Sequence, residues 1–83
     1  MSWKETINEE TKAEALTQDF KFKDFVSAWA FMNKVALLAE KVDHHPDWSN
    51  SYNKVSISLS THSAGDKITS KDRELAGQID ALS

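Results

Sequence analysis

The chain predicts an α+β fold in which hairpin strands carry helices on one face. Three observations lead there. Two separate stretches, residues 16–22 and 52–61, alternate apolar and polar side chains with a period of two. Between them, from Asp24 onward, apolar residues recur at helical spacing. Finally, 83 residues with 40% hydrophobic and 28% charged side chains make one small globular domain, residues 1–83, with no room for a second.

The elements follow in order. Residues 3–7 put Trp3, Glu5 and Ile7 on one parity, a strand pattern, and the polar residues 8–11 suit a turn. In the next strand Leu16, Gln18, Phe20 and Phe22 share one face, and Thr17, Asp19 and Lys21 the other. Asp24 suits an N-cap. Phe25, Trp29, Met32, Val35 or Ala36, Ala39 and Val42 then form a helical stripe, expected to be core. Pro46 is expected to end this helix, because the residue before a proline is pushed out of the helical region. Further on, Val55, Ile57 and Leu59 face one way and Ser56, Ser58 and Ser60 the other, a half-buried strand. A turn at Asn53-Lys54 is expected to join it to a short strand over residues 48–52. Residues 64–69, with Gly65, read as a loop. Thr69 and Asp72 stand at capping-box spacing before a second helix with the stripe Leu75, Ile79 and Leu82. The sum is about four strands and two helices.

Composition removes whole classes of function. With no cysteine there is no disulfide scaffold, thiolate zinc finger, iron–sulfur cluster or thiol nucleophile. A net charge of −3 without a basic run argues against nucleic acid as a direct partner. The longest apolar runs, residues 28–32 and 35–39, are too short to span a membrane, and the start of the chain has no signal-peptide core. No membrane partner and a cytoplasmic location are therefore expected. A domain of this size buries only about 60–65% of its unfolded surface, so self-association is expected too.

The residues able to do chemistry cluster at element ends. His44 and His45 follow the long helix, and His62 follows the best strand. Glu40, Asp43 and Asp47 surround the first two. Glu40 lies one helical turn before His44 and would stack on it if the helix ran that far. Asp72 opens the last helix, and Trp48 stands where an aromatic wall would serve a pocket. Imidazole exchanges protons near neutral pH, and a neighbouring carboxylate orients it. Three histidines flanked by carboxylates would suit general acid–base work on a neutral heterocycle. The same residues also have plainer readings. Cationic side chains favour the C-terminal end of a helix dipole, so His44-His45 equally suits a solvated helix end. Asp72 reads first as a cap and Trp48 first as a packing residue. A metal site is not expected, since no His-x-x-x-His pair occurs and adjacent residues rarely aim at one ion.

Glu40-Lys41-Val42-Asp43-His44-His45-Pro46, followed at intervals by Tyr52, His62 and Asp72, resembles the signature of the pterin-4a-carbinolamine dehydratase family. Residues 20–25, 30–35, 47–55 and 59–62 read like family sequence as well. The resemblance runs from about Trp3 to the C-terminus. It implies a four-stranded antiparallel sheet with helices packed on one face, and association as a homodimer or dimer of dimers. Members commonly carry a helix before the residue matching Trp3, and that helix is expected to be missing here. The implied reaction is dehydration of a 4a-hydroxytetrahydropterin to quinonoid dihydropterin, with no metal or organic cofactor. By resemblance His44 and His62 are the acid–base pair and His45 binds and orients the pterin. Glu40 and Asp43 would orient and polarise the imidazoles, Trp48 would border the ring, and Asp72 would support the His62 side. The sequence departs from the family pattern at Lys71, where arginine is common, and in a slightly longer loop between His62 and Asp72. Vertebrate members also act as dimerisation partners of a homeodomain transcription factor. A non-catalytic dimerisation or co-regulator module on the same fold is therefore the alternative.

Overall fold

The computed structural model describes residues 3–82. Four strands, β1 (Lys4–Ile7), β2 (Glu14–Lys21), β3 (Asp47–Ser51) and β4 (Lys54–Leu59), form one antiparallel sheet in the order β1-β2-β4-β3. Two helices, α1 (Phe25–Val42) and α2 (Ser70–Asp80), pack on its apolar face. The α+β architecture expected from the sequence is the one observed. Among the described residues no helix is long and apolar enough to cross a membrane.

The alternating stretches behave as the period of two requires. Leu16 and Phe20 on β2 and Val55, Ile57 and Leu59 on β4 are buried, and the β2–β4 register sets Leu16 against Leu59 and Phe20 against Val55. Ser56 and Ser58 face the other side of the sheet beside Asp19 and Thr17. The first hairpin turns where Asn8 accepts the backbone N–H groups of Glu10 and Thr11 through its side chain, and Lys12 takes a left-handed conformation. β1 itself is exposed along its length, but Trp3 packs edge-on against Phe20, and its indole N–H donates to Asp80. The second hairpin turns one residue earlier than expected, at Tyr52-Asn53. Tyr52 adopts φ +51°, and Ser51 already pairs with Lys54.

α1 corrects the expected core stripe. Its buried residues are Ala28, Phe31, Val35 and Ala39, whereas Phe25 and Trp29 stack on each other at the surface. The reason is depth. Phe20 and Phe22 rise from the sheet and meet Phe31 at 4.9 Å between ring centroids, so the helix lays small residues, Ala28 and Ala39, where its backbone must approach closely. Val42, also assigned to the core stripe, is exposed, as is Leu82 at the end of the α2 stripe. Leu75, Ala76 and Ile79 of α2 close the core.

Candidate active site

The site begins with the way α1 ends. The helix stops at Val42, before Pro46 can act on it. Asp43 takes a left-handed conformation (φ 52°), its N–H donates to Glu40 O, and His44 N–H reaches back to Ala39 O at 3.0 Å. This is a Schellman-type end with aspartate where glycine is usual. One consequence is a correction: Glu40 does not stack on His44. The reversal sends His44 inward and leaves His45 outside, where its Nε2 donates to Glu40 Oε1 at 2.8 Å.

His44 is nearly buried, its side chain 12% exposed, and its Nε2 lies 2.5 Å from Asp72 Oδ1. Asp72 is fully buried. It is the third residue of α2 and completes the expected capping box: the Thr69 N–H donates to its Oδ2 at 2.9 Å. Thr61 Oγ1 donates to the same oxygen at 2.8 Å. Burial opposes ionisation of this carboxyl most strongly, but the Thr69 N–H, His44 and Thr61 hydrogen bonds outweigh it and hold the group below the usual aspartate value. An ionised carboxylate only accepts hydrogen bonds. His44 therefore carries its proton on Nε2, and in the neutral ring Nδ1 is left with a free lone pair. Asp72 was expected to support the His62 side. It holds His44 instead, and among the described residues its hydrogen bond toward the other side is the one from Thr61.

His62 comes from a different device. β4 ends at Leu59, and His62 sits beyond it on a turn. Residues His62–Ala64 form a 3₁₀ turn closed by Gly65 at φ 78°. His62 is 97% exposed, and its Nδ1 donates to Asp66 Oδ1 at 2.9 Å, which presents Nε2 to the outside. Asp66 was not among the expected site residues. Its position four residues after His62 and next to Gly65 was the available signal.

The remaining expected residues are less closely drawn in. Among the described residues the Asp43 carboxylate makes no hydrogen bond to an imidazole; Asp43 acts through its backbone at the helix end. Trp48 pairs with Ile57 in register and is half-buried against the core. It borders an open groove of about 350 Å³ with Asp47, Ser49 and Ser58, not the cavity beside His44. That cavity, of about 70 Å³, lies between Val42, His44, Lys71, Glu74, Leu75 and Gln78. It is far below the roughly 300–1,000 Å³ of enclosed small-molecule pockets, so a ligand here would lie across an open surface. Thr61 and Thr69 enter the site network through their hydroxyls, a role not expected of either residue. Thr61 continues the inward parity of Val55, Ile57 and Leu59, and a threonine at an inward position was the clue.

Comparison with known proteins bears on the family and the fold. A family model described as pterin 4 alpha carbinolamine dehydratase matches residues 1–82. Proteins provisionally named pterin-4-alpha-carbinolamine dehydratase are similar to the chain. The one from Prochlorococcus marinus (strain NATL2A) is 57% identical over 67 residues, covering 81% of this chain and 70% of the relative. The one from Rhodospirillum rubrum is 57% identical over 68 residues, covering 82% and 70%. A crystal structure of a transcriptional coactivator/pterin dehydratase from Brucella melitensis superposes with a TM-score of 0.84 at 44% identity, covering 96% of this chain and 80% of that one. A pterin dehydratase-like protein described as a RuBisCO assembly factor in the alpha-carboxysome superposes with a TM-score of 0.81 at 25% identity, covering 99% and 89%. With the family model spanning nearly every residue and relatives more than half identical, the chain belongs to the pterin-4a-carbinolamine dehydratase family.

Proposed function

We propose that this protein is a hydro-lyase that converts a 4a-hydroxytetrahydropterin to quinonoid dihydropterin and water, in tetrahydrobiopterin recycling, by histidine general acid–base catalysis. The observation that carries the reading is His44, held on Nε2 by a buried, ionised Asp72 and left with Nδ1 to react. The chemistry asks for one acid and one base. In the substrate the N5 lone pair forms the C4a=N5 double bond as the C4a–O bond breaks. The departing hydroxyl takes a proton and leaves as water, and N5 gives up its own proton. One imidazolium and one neutral imidazole perform both transfers, and the net change is loss of water. His44 and His62 take these roles. His45, oriented by Glu40, binds the pterin. Neither transfer calls for a metal or an organic cofactor.

Each positioned acid or base contributes about 10²–10⁴-fold. The test follows the decay of enzymatically generated 4a-hydroxytetrahydropterin by ultraviolet absorbance. Acceleration by the wild type is expected, with a loss of about 100-fold or more in His44→Ala and in His62→Ala. A folded wild type that does not accelerate the decay would refute the reading.

A second reading has its own observation. α1 exposes Val26, Trp29 and Leu37 on its outer side, and solved relatives carry the descriptions coactivator and assembly factor. That surface supports self-association as a homodimer or dimer of dimers, and also a non-catalytic dimerisation module. A protein complex that survives His44→Ala combined with His62→Ala, from a wild type without dehydratase activity, would favour the module.

A further inference from the structure

We infer that Thr61 is a positioning residue of this site: its hydroxyl fixes the carboxylate that aims His44, while its main chain holds the turn that carries His62. The inference rests on the reading of His44 and His62 as the acid–base pair.

The hydrogen-bond directions can be worked out from the partners. Thr61 is buried, 5% exposed. Its single hydroxyl proton goes to Asp72 Oδ2, since an ionised carboxylate can only accept. The 2.6 Å contact between Thr61 Oγ1 and Thr69 Oγ1 must then be donated by Thr69. The result is a directed chain: Thr69 hydroxyl to Thr61 hydroxyl to Asp72 carboxylate, with His44 Nε2–H arriving from the opposite side. Oδ2 takes two donors, Thr61 Oγ1 and the Thr69 N–H. The carboxylate plane is thereby fixed, and among the described residues Oδ1 is left to His44 alone. Such chains polarise one another, so the end group is held more firmly than one bond would hold it.

The main chain of Thr61 serves the other histidine. Its N–H donates to Lys67 O at 2.9 Å, and its carbonyl accepts the N–H groups of Ala64 and Asp66 at 3.1 Å each. Those bonds close the turn on which His62 and its partner Asp66 sit. One residue thus ties the two histidines to a common frame, although the imidazoles hydrogen-bond to Asp72 and Asp66 and not to it. Packing alone would be met by valine, which has the same shape. A buried hydroxyl is costly unless its hydrogen bonds are made, and here they are made to the site.

The decisive comparison is Thr61→Val against Thr61→Ser. The readouts are kcat and KM for pterin dehydration, and water exchange of the His44 Nε2–H proton by nuclear magnetic resonance. Displacing a catalytic group slightly costs up to about 100-fold. Thr61→Val is expected to lower kcat by about 10- to 100-fold with KM little changed, and to speed exchange of the His44 proton. Thr61→Ser is expected to stay within about threefold of wild type on both, since it retains the hydroxyl. An unchanged kcat in Thr61→Val would overturn the inference. So would equal losses in the valine and serine variants, which would mark the methyl group and plain packing as the cause. Should Thr61→Val not fold, Thr61→Ala carries the same comparison. If wild type proves to have no dehydratase activity, the functional reading falls, and proton exchange alone decides whether Thr61 holds His44. Faster exchange in Thr61→Val then upholds the positioning, and unchanged exchange overturns it.

Discussion

Asp72 carries two tasks on its two oxygens. Oδ2 closes the capping box of α2, and Oδ1 holds His44. Removing the carboxylate leaves the buried Thr61 hydroxyl without its acceptor, at about 1–3 kcal/mol, and frees the part-buried Thr69 and His44 N–H groups, which water reaches at a smaller cost. Asp72→Ala is therefore expected to destabilise the domain by about 2–4 kcal/mol in urea unfolding. The pH dependence has a definite sign. The folded carboxyl titrates below the usual value of 3.8, so its stabilisation is full above that value and is lost as pH falls through the lower folded one. Between wild type and Asp72→Asn, the stability difference should shrink as pH falls below about 4. A difference that persisted unchanged into strong acid would show that the ionised form is not what stabilises. The exposed pair Glu40–His45 should behave otherwise: Glu40→Gln is expected to change stability by less than about 1 kcal/mol, so any larger effect on turnover would report on the site and not on folding.

At the scale of elements, the two helix ends set the site. Thr69 and Asp72 were legible as a capping box because spacing and residue type suffice to specify one. The end of α1 was not. Proline was the visible stop signal, yet the helix unwinds three residues earlier because Asp43 accepts a left-handed backbone. That conformation carries a cost for any residue with a Cβ atom, and glycine escapes it. Asp43→Gly is expected to raise stability by about 0.5–1 kcal/mol. An accompanying fall in dehydration rate would assign the Asp43 carboxylate a role in the reaction beyond the backbone one seen here. No gain in stability would mean the left-handed turn is relaxed as it stands.

Over the whole molecule, α1 divides its apolar residues between two faces. Phe31→Ala should cost about 3–5 kcal/mol, as buried aromatic truncations do. Trp29→Ala, half-exposed on the outer face, should cost less than about 1 kcal/mol in a monomer. A larger cost that shrank on dilution, as wild type dissociated, would place Trp29 in an interface between copies. Light scattering of wild type beside a Val26→Glu, Leu37→Glu double variant checks the same surface: an associated wild type and a monomeric variant would locate the contact on α1. Two equally associated proteins would move it to the sheet edges, β1 and β3, which end the strand order, and two monomers would show no self-association.

The alternating strands, the existence of both helices, the capping box and the family are legible along the chain. Each is written in local spacing or in a motif that a few residues complete. Tertiary structure decided which side of α1 is core. Apolar residues run nearly all the way round that helix between Phe25 and Ala39, so periodicity offered two overlapping stripes, and only the aromatic rings on the sheet could select between them. It likewise decided the partners of the histidines. Asp72 lies 28 residues from His44, and distance along the chain says nothing of where a reversed helix end will point a side chain. Thr61 stayed hidden for the same reason. A strand residue reveals its face by parity, but a hydroxyl reveals its partner only when another element is packed against it.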